Sequence, residues 1–183
     1  MRKFFTFILV GLLIIALGGC SYNSRVQSKV IMNDDKFEII KNKLKTVSEA
    51  YNLEDGIKEG HFIVIHGKLN SDINIMNKFV DESGKGNSSE ITIVQYTVEG
   101  DPIITQLSYD GESYYGVIDS TRDKFGSNEY YNFEYLYLKN FNEGEEEIYY
   151  LVNDDSLTYD EINYYLSKEN NYDVMHLLTL NKS

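Results

Sequence analysis

The chain has 183 residues, with 17 lysines and arginines against 29 aspartates and glutamates, a formal net charge of −12, one cysteine and one proline. That length suits one domain with a sizeable buried core, and the acidity makes nucleic acid an unsuitable partner. A single cysteine excludes an internal disulfide and a multi-thiolate metal site.

Residues 1–19 read as a signal peptide: a basic head (Arg2, Lys3), an apolar run from Phe4 to Leu17, then Gly18 and Gly19. The run falls short of the ~18–20 residues that a membrane-spanning helix requires. Leu17-Gly18-Gly19-Cys20 resembles the bacterial lipobox, which implies cleavage before Cys20 and a diacylglyceryl group on its sulfur. The alternative is an uncleaved amino-terminal anchor with an incidental cysteine, and both versions place the body outside the cytoplasmic membrane. Two acyl chains, at about 0.8 kcal/mol per buried methylene, anchor stably where one is marginal. Cleavage removes Arg2 and Lys3, so the mature body is still more acidic and stands off anionic lipid. Residues 20–33, polar with isolated apolar positions, read as the lipidated tether, and 34–183 as a single domain.

From Asp34 the pattern becomes helical. Phe37, Ile40, Leu44, Val47 and Tyr51 fall at steps of three and four, with Asn33 or Asp34 placed to cap the start. His61 to His66, "HFIVIH", is a β-branched run between glycines and predicts a strand buried on both faces. "NSDINIMNKFVDES" predicts a second helix capped by Asn70 or Ser71, with Ile73, Met76, Phe79 and Val80 facing inward. "EITIVQYTV", "PIITQLSY" and "ESYYGVID" then read as strands joined by the turn "EGDP" and by Asp110-Gly111. "YNFEYLYLK" and "EEIYYLVN" add two more strands around "NFNEGEE". Thr158 and Glu161 form a capping-box pattern ahead of Ile162, Tyr165 and Leu166. The final "DVMHLLTL" fits strand or helix, with strand preferred. The expected architecture is α+β: a curved antiparallel sheet of about five or six strands with two or three packed helices.

The motifs of common catalytic sites are missing. His61 and His66 are separated by five residues on one predicted strand and therefore point to opposite faces, while His176 stands apart. No His-rich or Cys/His zinc pattern, nucleophile elbow or Walker spacing occurs, and no cofactor or dedicated metal site is expected. Glu145-Glu146-Glu147 and Asp154-Asp155 lack the alternating ligands of an EF-hand loop. More informative is Asp119-Ser-Thr-Arg122-Asp123, which holds the one arginine of the body, since Arg25 lies in the tether. A guanidinium among carboxylates either fixes a loop by pairing with Asp119, Asp123 or an acid of the "EGDP" turn, or receives an anionic ligand.

Between His66 and Gly126 the string "HGK … YTVEGDPI … YDG … DSTRDKFG" resembles an uncharacterised family of Gram-positive bacterial lipoproteins, known as a domain of unknown function. The motifs fall on Tyr96, Thr97 and Glu99–Ile103, on Tyr109–Gly111, and on Asp119 with Thr121–Gly126. The family-like core spans about 60–153. The resemblance implies an extracytoplasmic, lipid-anchored module and carries no activity with it.

Three functions fit these observations. The first is a non-enzymatic module at the outer face of the cell membrane that binds an envelope protein, peptide or polymer. The second is an envelope hydrolase or transferase, which requires two of Glu99, Asp101 and Asp119 to converge in a pocket with separated pKa values. The third is a membrane-tethered acidic inhibitor or immunity-type protein steered to a basic target. Within "TVEGDP", Gly100, Asp101 and Pro102 are what a tight reversal needs, and Glu99 is not. A Glu99–Arg122 pair would staple two loops together. The candidate cluster is thus Glu99, Asp101, Asp119, Arg122 and Asp123, beside the lipidation site Cys20.

Overall fold

Phe37, Ile40 and Leu44 are buried along one face of helix α1 (Asp34–Lys45), as their spacing predicts. Each such side chain contributes about 1.5–3 kcal/mol on burial. A computed structural model describes residues 34–168 and 173–182. The signal peptide, Cys20, the tether and the Asn33 cap lie outside the described residues.

The helix ends earlier than the apolar spacing suggests. The N–H groups of Thr46 and Val47 donate to the carbonyls of Lys43 and Leu44, both at 3.1 Å, a tightened last turn that stops propagation. Val47 and Tyr51 lie beyond it yet still pack into the same cluster, with Ile63, Val94, Ile104 and Val117. A short helix α2 (Leu53–Lys58) follows, capped by the Asn52 side chain, which accepts from the Asp55 N–H at 3.0 Å. Its six residues and internal Gly56 left no periodicity to detect.

Strand β1 (Phe62–Ile65) is buried on both faces, Phe62 and Val64 toward one cluster and Ile63 toward the other. Both histidines lie outside it. His66 and Gly67 adopt φ of 52° and 76°, the paired positive angles of a two-residue hairpin turn, and lead into β2 (Lys68–Leu69). Helix α3 (Asn74–Gly84) buries Met76, Phe79 and Ser83. Ile73 sits at its N-cap and is partly exposed, and neither Asn70 nor Ser71 caps it. Asp72 Oδ1 accepts from the Asn74 N–H at 2.9 Å, while Ser71 Oγ accepts from the Ile63 N–H at 2.9 Å.

β3 (Ser89–Tyr96), β4 (Pro102–Tyr109), β5 (Tyr114–Asp119) and β6 (Tyr130–Tyr135) form an antiparallel run. The sheet order is β2-β1-β3-β4-β5-β6. The expected all-antiparallel pairing is corrected at one place, because β1 runs parallel to β3. A parallel neighbour requires a crossover connection, and α3 supplies it.

The predicted strand "YNFEYLYLK" divides at Leu136. Its second half is β7 (Tyr137–Glu143), which pairs with β8 (Glu146–Val152), and β8 pairs with β9 (Val174–Asn181) in a separate three-stranded sheet. The bend lets Tyr135 and Leu138 address one core from two sheets. Helix α4 (Tyr159–Leu166) has the capping box formed by Thr158 and Glu161.

The fold is therefore α+β, with a mixed six-stranded sheet, a three-stranded sheet and four helices among the described residues. α1 and α2 cover one face of the larger sheet. α3 and the smaller sheet share the core on its other face, where Phe62, Met76, Leu107, Phe133, Leu151 and Leu178 meet. α4 closes the far side of the smaller sheet through Ile162, against Tyr150, Val152 and Val174.

Candidate functional site

Two loops leave the same end of the larger sheet. One is the β3–β4 reversal, in which Thr97 N–H donates to the Asp101 carbonyl at 2.9 Å and Gly100, at φ 87°, donates to the Thr97 carbonyl at 3.0 Å. Pro102 follows as the first residue of β4, a position that can dispense with an N–H. The other is the β5–β6 loop, closed at its neck by Ser120 and Glu129. There the Ser120 N–H donates to the Glu129 carbonyl at 3.0 Å, and Glu129 N–H donates to Ser120 Oγ at 3.1 Å.

Asp119 ends β5 and is fully buried. Its Oδ1 accepts from Thr121 N–H and Thr121 Oγ1, at 2.9 and 2.6 Å, and its Oδ2 receives Arg122 Nη1 at 2.5 Å. Arg122 uses its remaining nitrogens on the last turn of α1 and the segment just after it. Nε donates to the Ser48 carbonyl at 3.1 Å, and Nη2 donates to the carbonyls of Val47 at 2.8 Å and Leu44 at 3.4 Å. Two of these carbonyls, Val47 and Ser48, lie just past the end of α1, where the chain has left the helix and the negative end of the helix dipole is close, so a guanidinium fits there in both charge and hydrogen bonding.

Asp101 belongs to a different pair. Its Oδ1 receives Lys124 Nζ at 2.9 Å and its Oδ2 receives the Lys124 N–H at 3.2 Å, so the two loops are tied to each other. Lys124 holds the Asp101 carboxyl below the usual carboxylate range, first through the ammonium hydrogen bond and then through the amide. Asp123 Oδ1 accepts from the Phe125 N–H at 3.0 Å, a local turn.

Glu99 is exposed and makes no hydrogen bond or ion pair among the described residues. The anticipated Glu99–Arg122 staple is not formed. The staple between the loops is Asp101–Lys124, and Arg122 faces inward to Asp119 and α1. Lys124 lies two residues beyond Arg122 in the same motif, but its partner Asp101 is 23 residues away on another loop, so no local spacing marks the pair. Nor do Glu99, Asp101 and Asp119 converge in a pocket. Asp101, in the β3–β4 loop, and Asp119, at the end of β5, each face their own cation.

The corner also turns two large apolar side chains outward. Val98, in the first loop, and Phe125, in the second, are 81% and 77% exposed. Large apolar side chains at such exposure, on loops fixed by internal bonds, are the surface of this corner that is free to meet another molecule. Among the described residues no group of three His, Cys, Asp or Glu side chains is placed to hold a metal ion, and no helix is long and apolar enough to cross a membrane.

Residues 59–150, which carry both loops, match the family described as Domain of unknown function (DUF4362). The chain belongs to the DUF4362 family. No curated protein and no solved structure matches it. The DUF4362 span begins at β1 and ends inside β8, so it leaves out α1, most of the cover over Ile63, Val94, Ile104 and Val117, and the β9 partner of β8. The flanking segments are joined to it covalently and by specific bonds: Arg122 caps α1, and the Asn181 N–H of β9 donates to the Gly67 carbonyl at 2.7 Å.

Proposed function

We propose that the chain is a non-enzymatic binding module, held at the outer face of the cell membrane by a diacylglyceryl group on Cys20. In this reading it meets an envelope protein, peptide or polymer through the corner that presents Val98 and Phe125. One observation carries it. The polar groups of Asp101, Asp119, Arg122 and Asp123 are engaged within the protein, while two large apolar side chains stand outward on loops tied to each other. Rigid apolar side chains with a polar rim are suited to contact, because little conformational entropy is lost on docking. The acid/base alternative is disfavoured by the same observation, since a general acid needs an apolar wall that keeps it protonated and Lys124 drives Asp101 the other way.

The lipidation half rests on the order of residues 1–20. Metabolic labelling with a fatty acid should mark the wild type and not Cys20→Ser, and the variant should leave the membrane fraction. Membrane fractionation of the wild type without label removes the anchoring part. For the contact surface, a photoreactive amino acid placed at Phe125 should crosslink to a discrete envelope component. The same probe at Ile39, nearly as open but on α1, should not. Identical patterns at both positions count against the corner.

A further inference from the structure

Strand β3 has strand neighbours on both sides along only half its length. β4 pairs with all eight residues, from Ser89 to Tyr96, whereas β1 pairs from Phe62↔Ile93 to Ile65↔Tyr96. Upstream of Phe62 the chain leaves the sheet. Gly60 takes a φ of 76°, and the His61 N–H turns back to the Gly56 carbonyl at 2.9 Å. Ser89–Thr92 is thereby an open edge inside the sheet order.

The phase of the hydrogen bonds decides what this edge offers. Because Thr97 N–H bonds to the Asp101 carbonyl, the odd-numbered residues of β3 exchange bonds with β4. Glu90 therefore turns both its N–H and C=O groups, and Thr92 its N–H, toward the side that β1 vacates, while the Phe62↔Ile93 register sets the Thr92 carbonyl opposite the Phe62 N–H. A cavity of about 310 Å³ lies there, lined among others by Lys43, Glu59, His61, Ile75, Glu90 and Gln106. Its volume is at the small end for a ligand cleft, enough for a short extended segment.

The charges favour a cation. Glu59 and Glu90 have exposed carboxylates, and Lys43 Nζ faces Glu90 at 3.3 Å. His61 Nδ1 meets the Tyr51 hydroxyl at 2.8 Å and Nε2 faces Glu59 at 3.3 Å. With the imidazole neutral, two carboxylates outweigh one ammonium, in a chain of net charge −12.

We propose that this notch binds an extended cationic peptide, which adds a short strand to β3 beside Glu90 and Thr92 and sets a lysine or arginine side chain between Glu59 and Glu90. Main-chain bonds to an open sheet edge supply affinity, and the side-chain pocket supplies selectivity. The site is separate from the Val98–Phe125 corner and does not rest on it.

The test uses the full chain in detergent with three labelled pentapeptides: Val-Lys-Val-Lys-Val, its glutamate counterpart, and the lysine peptide with alternate amides N-methylated. The lysine peptide should bind saturably and slow amide exchange at Glu90 and Thr92 at least about tenfold. The double variant E59Q/E90Q and N-methylation should each weaken it about tenfold, or 1.4 kcal/mol, while F125A leaves it unchanged. Equal binding of the glutamate peptide or of the N-methylated peptide overturns the proposal. So does unaltered exchange at Glu90 and Thr92, an unaffected E59Q/E90Q variant, or a matching loss in F125A.

Discussion

Arg122 Nη2 donates to the Val47 carbonyl at 2.8 Å, across 75 positions of sequence, and so ties the segment after α1 to the loop that follows β5, a strand on which α1 packs. The same guanidinium neutralises Asp119, whose side chain is wholly buried, and is itself only 7% exposed. Breaking a buried pair by removing one partner leaves an uncompensated charge, which costs about 3–5 kcal/mol. Arg122→Ala should lower the unfolding free energy by an amount in that range, read as a lower urea midpoint at an unchanged slope. Arg122→Lys should recover part of the loss, because an ammonium cannot serve Asp119, Ser48 and Val47 together. Asp119→Asn in the Arg122→Ala background should recover stability by removing the stranded charge. A loss below about 1 kcal/mol for Arg122→Ala would place this pair with weak surface bridges and contradict its structural role.

The Asp101–Lys124 tie predicts a pH dependence with a definite sign. Lys124 lowers the folded pKa of Asp101 below 3.8, so the stabilisation is fully present above that value and is lost as pH falls through the folded pKa. Lys124→Met should be less stable than the wild type at pH 7, and the difference should shrink at acid pH. The Asp101 carboxyl, followed by NMR, should titrate below 3.8 in the wild type and move upward in Lys124→Met. The Lys124 amide still donates, so the return should be incomplete. An unmoved titration would show that the ammonium does not reach Asp101 in solution.

The sequence made the elements with strong local signals legible, and it left hidden those that depend on distant partners. The strand-forming run "PIITQLSY" and the Asp110-Gly111 turn identify β4 and β5 because residue preference for strands and turn chemistry are local. α2 escaped because six residues with a central glycine carry no helical period. The parallel β1–β3 pairing escaped because strand direction is set by the α3 crossover and not by composition. The run through Leu136 has a single pattern, and only the two competing sheets reveal the bend. In the candidate site, the closeness of Arg122 to Asp119 and Asp123 made a pairing legible, and the fold selects Asp119. Lys124 reaching back to Asp101, and Arg122 reaching Leu44, Val47 and Ser48, required the fold.

Gly116 reports how tightly the central strands meet. A Cβ there would stand 2.3 Å from the Gln106 carbonyl oxygen and 2.6 Å from Phe133 Cζ. The first atom is the backbone of β4 and cannot yield without breaking sheet geometry. Gly116→Ala should destabilise by about 1–3 kcal/mol, the range for overpacking a filled core. Adding Phe133→Leu should relieve the ring contact but not the carbonyl contact, leaving the double variant below the wild type in urea midpoint. Wild-type stability in Gly116→Ala would mean that β4 and β5 are further apart than described.

His61 should titrate below the ordinary 6.5 of an imidazole. Burial is the main cause, opposed by Glu59 and reinforced by Lys43. A folded pKa lowered below the unfolded one means that the contribution is fully present above about pH 6.5 and is lost as pH falls from there toward the folded value. The neighbouring Tyr51 phenol is raised, first by burial, and remains a hydroxyl that fits donation to Nδ1. Gly56 makes room for it, because a Cβ at that position would stand 2.0 Å from the Tyr51 oxygen. Gly56→Ala adds up to about 1 kcal/mol of helix propensity in α2, yet it must displace the hydroxyl and open His61 to water. The variant should therefore be less stable than the wild type, with its His61 pKa moved back toward 6.5 in an imidazole NMR titration. Higher stability with an unmoved His61 would show that propensity outweighs the Tyr51 contact.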